Sequence, residues 1–396
     1  MEKSLDVSIV GAGIGGLTAA LTLKKSGHNP TIYEKSELLS ELGAGVQLSP
    51  NANRVFKYLG IMEDLKKEIF EPEAFQFLNY RTGRVLAEHS LKELSTKTYG
   101  FPNYDIHRAD LQKVLLSAIE KAEIKLVKDF EITDVGKEKE KPYIKANEKK
   151  IISDVVIGAD GIHSVIRKKL WGKDQARYTK NVAWRMLVPI EKISSNFLKP
   201  NTTVWLGPKK HFVQYFVKGG SYLNCVCLVE QDDWRSEDWS EKGDIFELKD
   251  LFSGWHPEIQ EIIESTEPDS LFKWGLHDRP PMKKWRRGKF SLLGDAAHPM
   301  LPFVAQGAAM AIEDGAVLAD CISSYEDNEK SLKYFEQIRK PRTSFVQLAA
   351  RRNAKILHLS GLAAFFRNIV MGYAGNKIFN KLYSYDALSA VNSKEI

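Results

Sequence analysis

The segment Gly11-Ala12-Gly13-Ile14-Gly15-Gly16 constrains this chain more than any other. It follows the apolar run Val7–Val10 and opens a helical stretch over residues 14–26, closed by Gly27, a residue suited to the left-handed turn at a helix end. A second apolar run, Pro30–Tyr33, ends on Glu34. Strand, glycine turn, helix and strand make a βαβ unit, and such units build parallel sheets with buried strands. The GxGxxG spacing gives each glycine a task. Gly11 permits the tight turn, Gly13 lets a pyrophosphate approach the backbone, and Gly16 lets helix and strand pack closely. Free N–H groups where the helix begins, at Ile14, favour phosphate. About twenty residues on, Glu34, followed by Lys35, is placed to accept hydrogen bonds from ribose hydroxyls. Just beyond, Gly43-Ala44-Gly45-Val46 suits a chain running past an extended cofactor. The motif alone leaves open which dinucleotide binds.

Composition narrows the class. The 396 residues suffice for more than one domain, and 43% hydrophobic with 27% charged residues is ordinary for a globular protein. The net charge of +6 is spread along the chain, which suits an anionic small molecule; without a dense basic tract, no nucleic-acid partner is expected. The cluster Lys283–Arg287 reads as a solvated turn face. Cys225, Cys227 and Cys321 form no CxxC pair, so no metal site is expected and a reduced, cytoplasmic setting is. No signal peptide is visible, and no uncharged apolar run reaches the length of a membrane span. Residues 361–375 come nearest and are interrupted by Arg367. They read as a packed C-terminal helix, with attachment to a membrane surface as the alternative.

The expected fold class is α/β: a Rossmann-like binding domain carrying GxGxxG, interrupted by a β-sheet substrate domain, with C-terminal helices. Residues 1–72, 98–178 and 281–330 are assigned to the discontinuous first domain, 73–97 and 179–280 to the second, and 331–396 to the helical segment. Helices are expected from Ser49, over 109–122 and over 308–321. Buried strands are expected over 151–157, followed by Gly158-Ala159-Asp160-Gly161, and over 290–293, followed by Gly294-Asp295.

Three motifs now stand in order: GAGIGG at 11–16, DVVIGADGIHSVIR at 154–167 and LLGDAAHPMLPFVAQG at 292–307. Together they resemble the flavoprotein aromatic hydroxylases, single-component FAD monooxygenases with the para-hydroxybenzoate hydroxylase fold. The tail AQGAAMAIEDG is most similar to the branch containing salicylate hydroxylase, 3-hydroxybenzoate 6-hydroxylase and 6-hydroxynicotinate 3-monooxygenase. The resemblance implies FAD as cofactor and NAD(P)H as a transient electron donor that docks without its own dinucleotide fold. It implies hydroxylation of a small, anionic aromatic substrate by O2, through a flavin C4a-hydroperoxide. It also implies roles. Residues 294–307 wrap the flavin ring, Asp295 binds ribityl or ribose hydroxyls, and Pro302 lies beside the ring. Gln306 and Gly307 begin a helix whose N–H groups face the ring's pyrimidine end. Arg108 lies against the FAD or caps the helix it begins. Asp160, helped by Arg167, serves FAD and the nicotinamide cofactor.

On the substrate side, alternation puts His211, Val213 and Tyr215 on one strand face. His211 and Tyr215 facing a pocket would orient and deprotonate a phenol or hydroxypyridine; otherwise they are a structural pair. Gln47 is expected to line the same cavity, and His298 to pack and hydrogen-bond within the wrap. His277 and Arg279 face the substrate entrance or an anion, or simply end a strand. Rival readings keep the fold but change its use: oxygenation of an isoprenoid, purine or antibiotic, or binding without catalysis. A monomer or homodimer is expected.

Overall fold

The computed structural model describes residues 4–37, 45–172, 176–194, 196, 198–233 and 241–391. Its first sheet has six strands, in the order Arg286–Arg287, Phe290–Leu292, Val155–Gly158, Asp6–Val10, Asn29–Tyr33 and Lys125–Val127. All neighbours run parallel except the edge pair at 286–292. Val7, Ile9, Val155, Val156 and Ile157 are buried, as expected of parallel strands covered on both faces. The Ile14–Lys25 helix packs on the Gly307–Ser324 helix. The approach is close at Gly315, where an added Cβ would come 2.9 Å from the Ala19 nitrogen, and Thr22 Oγ1 donates to the Gly315 carbonyl at 2.8 Å.

The run expected as one strand over 151–157 is divided. Lys149–Ile152 pairs with Lys141–Ala146 in a three-stranded antiparallel sheet, and Val155–Gly158 joins the large parallel one. The polar pair between them turns the chain. Ser153 bonds Ser8 side chain to side chain at 2.7 Å, and Asp154 accepts from the Asp6 N–H at 3.0 Å.

The second sheet has seven strands, ordered Phe272–Asp278, Arg177–Pro189, Tyr222–Glu230, Lys210–Val217, Thr202–Gly207, Ala74–Asn79 and Val85–Ser90. Helices Ile245–Leu251 and Pro257–Glu264 cover one face, where Trp184, Phe212, Phe252, Ile259 and Ile262 pack. The other face carries Val204 and Val213, cross-strand partners, and turns toward Leu301, Phe303 and the C-terminal helices. A two-stranded ribbon, Gly45–Leu48 with Tyr104–His107, sets Gln47 opposite Asp105.

The boundary expected at 331 falls inside the Asn328–Leu357 helix, whose first turn is capped by Asp327. The last helix, Gly361–Tyr383, packs on Val85–Ser90. Rather than being wholly packed, it leaves Leu362, Phe365, Phe366, Ile369 and Val370 exposed, a spacing that lines one helix face. Among the described residues no helix is long and apolar enough to cross a membrane.

Candidate active site

The three glycines of the turn meet different surroundings. An added Cβ would come 2.4 Å from the Ala159 carbonyl oxygen at Gly11, whose φ is +108°, and 2.0 Å from the Gly11 carbonyl oxygen at Gly16. The fold itself needs both. At Gly13, the residue preceding the Ile14–Lys25 helix, a Cβ would meet nothing within 4 Å. Gly13 therefore keeps the space before the helix N-terminus clear, where unpaired N–H groups favour an anion. Glu34 braces this turn, accepting from the Ala12 N–H at 2.7 Å and the Ser36 N–H at 3.0 Å, and its carboxylate keeps lone pairs for a ribose. Lys35 is exposed. Gly43 and Ala44 lie outside the described residues. Gly45 donates its N–H to Asn224 at 2.7 Å, and Val46 is half-buried.

The 292–307 segment is fastened from behind by a buried polar network. Asp314 accepts from the Gly294 N–H at 3.0 Å and lies 2.6 Å from His298 Nε2. Arg339, buried, reaches Asp314 and Glu313, each at 2.7 Å. Arg342 grips both Glu313 oxygens at 2.7 Å. Asn51 links Glu313 (2.6 Å) to Gln306 (3.1 Å), and Gln306 donates to Ser49 at 2.9 Å. Burial alone would raise the Asp314 pKa; His298 and Arg339 outweigh it and hold it at about 2. This network orients Gln306, which precedes the Gly307–Ser324 helix, and Gly307, which begins it. The acidic pair Glu313-Asp314 inside an apolar helix was the available sequence signal.

Two cavities meet at Pro302, which is exposed to both. One, of about 660 Å³, is lined by Arg108, His163, His277, Arg279 and Asp295. Asp295 is exposed on the side that opens onto it. Desolvation by the protein atoms around it pushes its pKa up, against the pull of His298 and Arg108. Arg108 begins its helix and faces the same space. The Asp160 carboxylate is engaged within its own loop. Its oxygens accept from Ser164 Oγ (2.6 Å) and the N–H groups of Val165 (2.6 Å) and Ile166 (3.1 Å), so it caps the short Val165–Trp171 helix. Arg167 donates to the carbonyls of Ala296 (2.8 Å) and Ile162 (2.6 Å). Both shape the wall without lining the cavity.

The other cavity, of about 480 Å³, holds Gln47, Asp105, Thr202, His211 and Arg367 in an otherwise largely apolar wall; its size suits a small molecule. The structure separates the pair expected to act together. His211 lines the cavity, whereas Tyr215 lies under the ribbon, close enough that a Cβ on Gly45 would come 2.4 Å from its ring. In place of Tyr215, His211 has a partner that the sequence did not reveal: its Nδ1 lies 2.8 Å from His358 Nε2, and His358 Nδ1 lies 3.0 Å from Glu230 Oε1. The Glu230 side chain is 41% exposed, so the line runs from cavity to surface. With Glu230 ionised, His358 donates to it and accepts from His211 Nδ1–H, leaving the His211 Nε2 lone pair free.

Residues 4–352 match the family model for the FAD binding domain. The 6-hydroxynicotinate 3-monooxygenase of Pseudomonas fluorescens is 34% identical over 359 residues, covering 89% of this chain and 92% of that protein. A 3-amino-4-hydroxybenzoate 2-monooxygenase of Streptomyces platensis is 33% identical, with 89% and 88% covered. The chain belongs to the FAD-dependent aromatic monooxygenases. Its fold matches that of Klebsiella pneumoniae HpxO, solved with FAD and uric acid, with a TM-score of 0.87 at 24% identity over 98% of each chain. Its cofactor is FAD, and NAD(P)H is the electron donor typical of such monooxygenases. The residues fit an FAD: clear space at Gly13 for the pyrophosphate, Asp295 and Arg108 open to the larger cavity, and the helix N-terminus at Gly307 beside Pro302.

Proposed function

We propose that this monooxygenase hydroxylates a small aromatic ring that already carries a hydroxyl group, of the hydroxybenzoate or hydroxypyridine kind. The observation that carries this reading is the line His211–His358–Glu230, which begins in the cavity touching Pro302. Bound FAD supplies reduction by NAD(P)H and the activation of O2. The chain's own residues prepare the ring. His211 Nε2 accepts the ring hydroxyl's hydrogen bond and then its proton, which raises the electron density of the ring. Burial, His358 and Arg367 hold the His211 pKa well below 6.5, so His211 does not store the proton but passes it through His358 to Glu230. Arg367 stabilises the anion left behind. Among the described residues its hydrogen-bond partners are all neutral, the carbonyls of Ile356, Leu357 and Leu359 and the Asn368 amide oxygen, and no acid there offsets its charge. The apolar wall of Val204, Val213 and Phe303 keeps water from the reacting atoms.

The two relatives named above act on rings bearing a hydroxyl, which supports this reading. O2 as co-substrate belongs to it as well. So do a cytoplasmic setting, where Cys225, Cys227 and Cys321 stay reduced, and a monomer or homodimer. The test is turnover. His211→Asn is expected to lower ring-dependent NAD(P)H oxidation by about 10²-fold and His358→Asn by about tenfold, with flavin content unchanged. Unchanged turnover in both variants would make the line a structural one.

A further inference from the structure

The cavity has a second polar end that the proton line does not use. Asp105, in the Tyr104–His107 strand, is only 2% exposed yet lines the cavity. One carboxylate oxygen accepts from Thr202 Oγ1 at 2.9 Å and the other from Gln47 Nε2 at 3.3 Å. Among the described residues no cation pairs with it. Its other titratable neighbours, Tyr215 and Tyr383, have pKa values raised by burial and stay neutral. A buried carboxylate held by two neutral donors and no cation still has lone pairs that a further hydrogen-bond donor can satisfy.

The strand register places this acid relative to His211. In the pairing of Thr202–Gly207 with Lys210–Val217, Leu206 faces His211 and Thr203 faces Gln214. Thr202 therefore stands beside the Tyr215 position, four residues along the strand from His211, about 13 Å away. Backbone positions that far apart leave room between the His211 and Asp105 side chains for one aromatic ring hydrogen-bonded at both ends. Between the ends lie Val204 and Val213. The charges differ as well. Arg367 is close enough to His211 to lower its pKa, and the acid is at the other end. The cavity is polarised along its length.

We propose that Asp105 sets the substrate specificity at this far end. It receives a ring carrying a hydrogen-bond donor (amino group, ring N–H or second hydroxyl) para to the reacting hydroxyl, and it rejects a carboxylate there. The inference rests on the hydroxylase reading above, with the hydroxyl at His211. A carboxylate on the substrate belongs next to the hydroxyl, beside Arg367. A ring such as 6-hydroxynicotinate, whose carboxylate lies opposite its hydroxyl, fits poorly. Burial pushes the Asp105 pKa up to about 7, against the pull of Thr202 and Gln47. At neutral pH a facing carboxylate meets like charge in part of the molecules, whereas a donor gains a charge-assisted bond. A site built around a buried polar group also discriminates against a ligand that leaves it unpaired.

Three rings that differ only at the carbon opposite the hydroxyl provide the test: salicylate (hydrogen), 5-aminosalicylate (amino) and 4-hydroxyisophthalate (carboxylate). Their Kd values are read from flavin absorbance changes in the FAD-loaded full chain, with kcat/KM for ring-dependent NAD(P)H oxidation alongside. The wild type is expected to bind the amino ring about tenfold tighter than salicylate, and the dicarboxylate at least about tenfold more weakly. Asp105→Asn should reduce the amino preference to about threefold or less and strengthen dicarboxylate binding by about tenfold. The wild-type ranking alone decides the matter if the variant does not fold. Wild-type binding of the dicarboxylate as tight as that of the amino ring would overturn the proposal. So would an equal shift of all three Kd values in Asp105→Asn. In either case ring-stimulated NAD(P)H oxidation would leave the hydroxylase reading standing. If no ring perturbs the flavin or stimulates oxidation, both fail.

Discussion

Gly13→Asp yields a folded protein without colour. Nothing lies within 4 Å of the position a Cβ would take at Gly13, and its φ of −74° is open to any residue, so the chain tolerates the side chain. The cofactor does not. A carboxylate at the start of the Ile14–Lys25 helix stands where the pyrophosphate would be held, and apposed like charges cost several kcal/mol. FAD affinity should fall by about 10³-fold or more. The visible flavin absorbance per protein measures it, with circular dichroism to show that the fold persists. Normal flavin content would remove the pyrophosphate from this turn. Gly11 and Gly16 do not offer so clean a test, because a side chain at either collides with backbone.

Arg339→Leu should destabilise the protein by about 3–5 kcal/mol, the usual cost of breaking a buried ion pair from one side. Glu313 and Asp314 would remain buried, Glu313 with Arg342 and Asn51, Asp314 with His298 and the Gly294 N–H. The denaturant midpoint reports the loss. The acid limb of stability should move too. Asp314 ionises at about 2 in the fold against 3.8 ordinarily, so it stabilises the fold above pH 3.8 and loses that contribution as pH falls toward 2. Without Arg339 its folded pKa rises, and part of that contribution disappears. A change below about 1 kcal/mol would show that Arg339 does not hold the wrap.

Whatever depends on short stretches of chain was legible in the sequence. The glycine turn, Glu34 and the 292–307 segment are built from neighbours, and their spacing is their geometry. The face of His211 followed from strand alternation. What covers that face did not. Tyr215 shares the alternation but is covered by Gly45, 170 residues earlier in the chain. His211 meets His358 across 147 positions, and Asp105 meets Thr202 across 97. Asp160 was read for its motif, yet its loop supplies three donors within six residues and uses the carboxylate itself. In the divided 151–157 run, Ser153 and Asp154 outweighed the apolar residues around them, because their partners lie on the first strand.

The most direct test of the hydroxylase activity is turnover of the FAD-loaded protein under ¹⁸O2, with NAD(P)H and salicylate or 5-aminosalicylate, followed by mass spectrometry of the ring. Ring-stimulated NAD(P)H oxidation is expected, with a product carrying one new oxygen, labelled from O2. NAD(P)H consumed with every ring recovered unlabelled, or no stimulation by any ring, would contradict it.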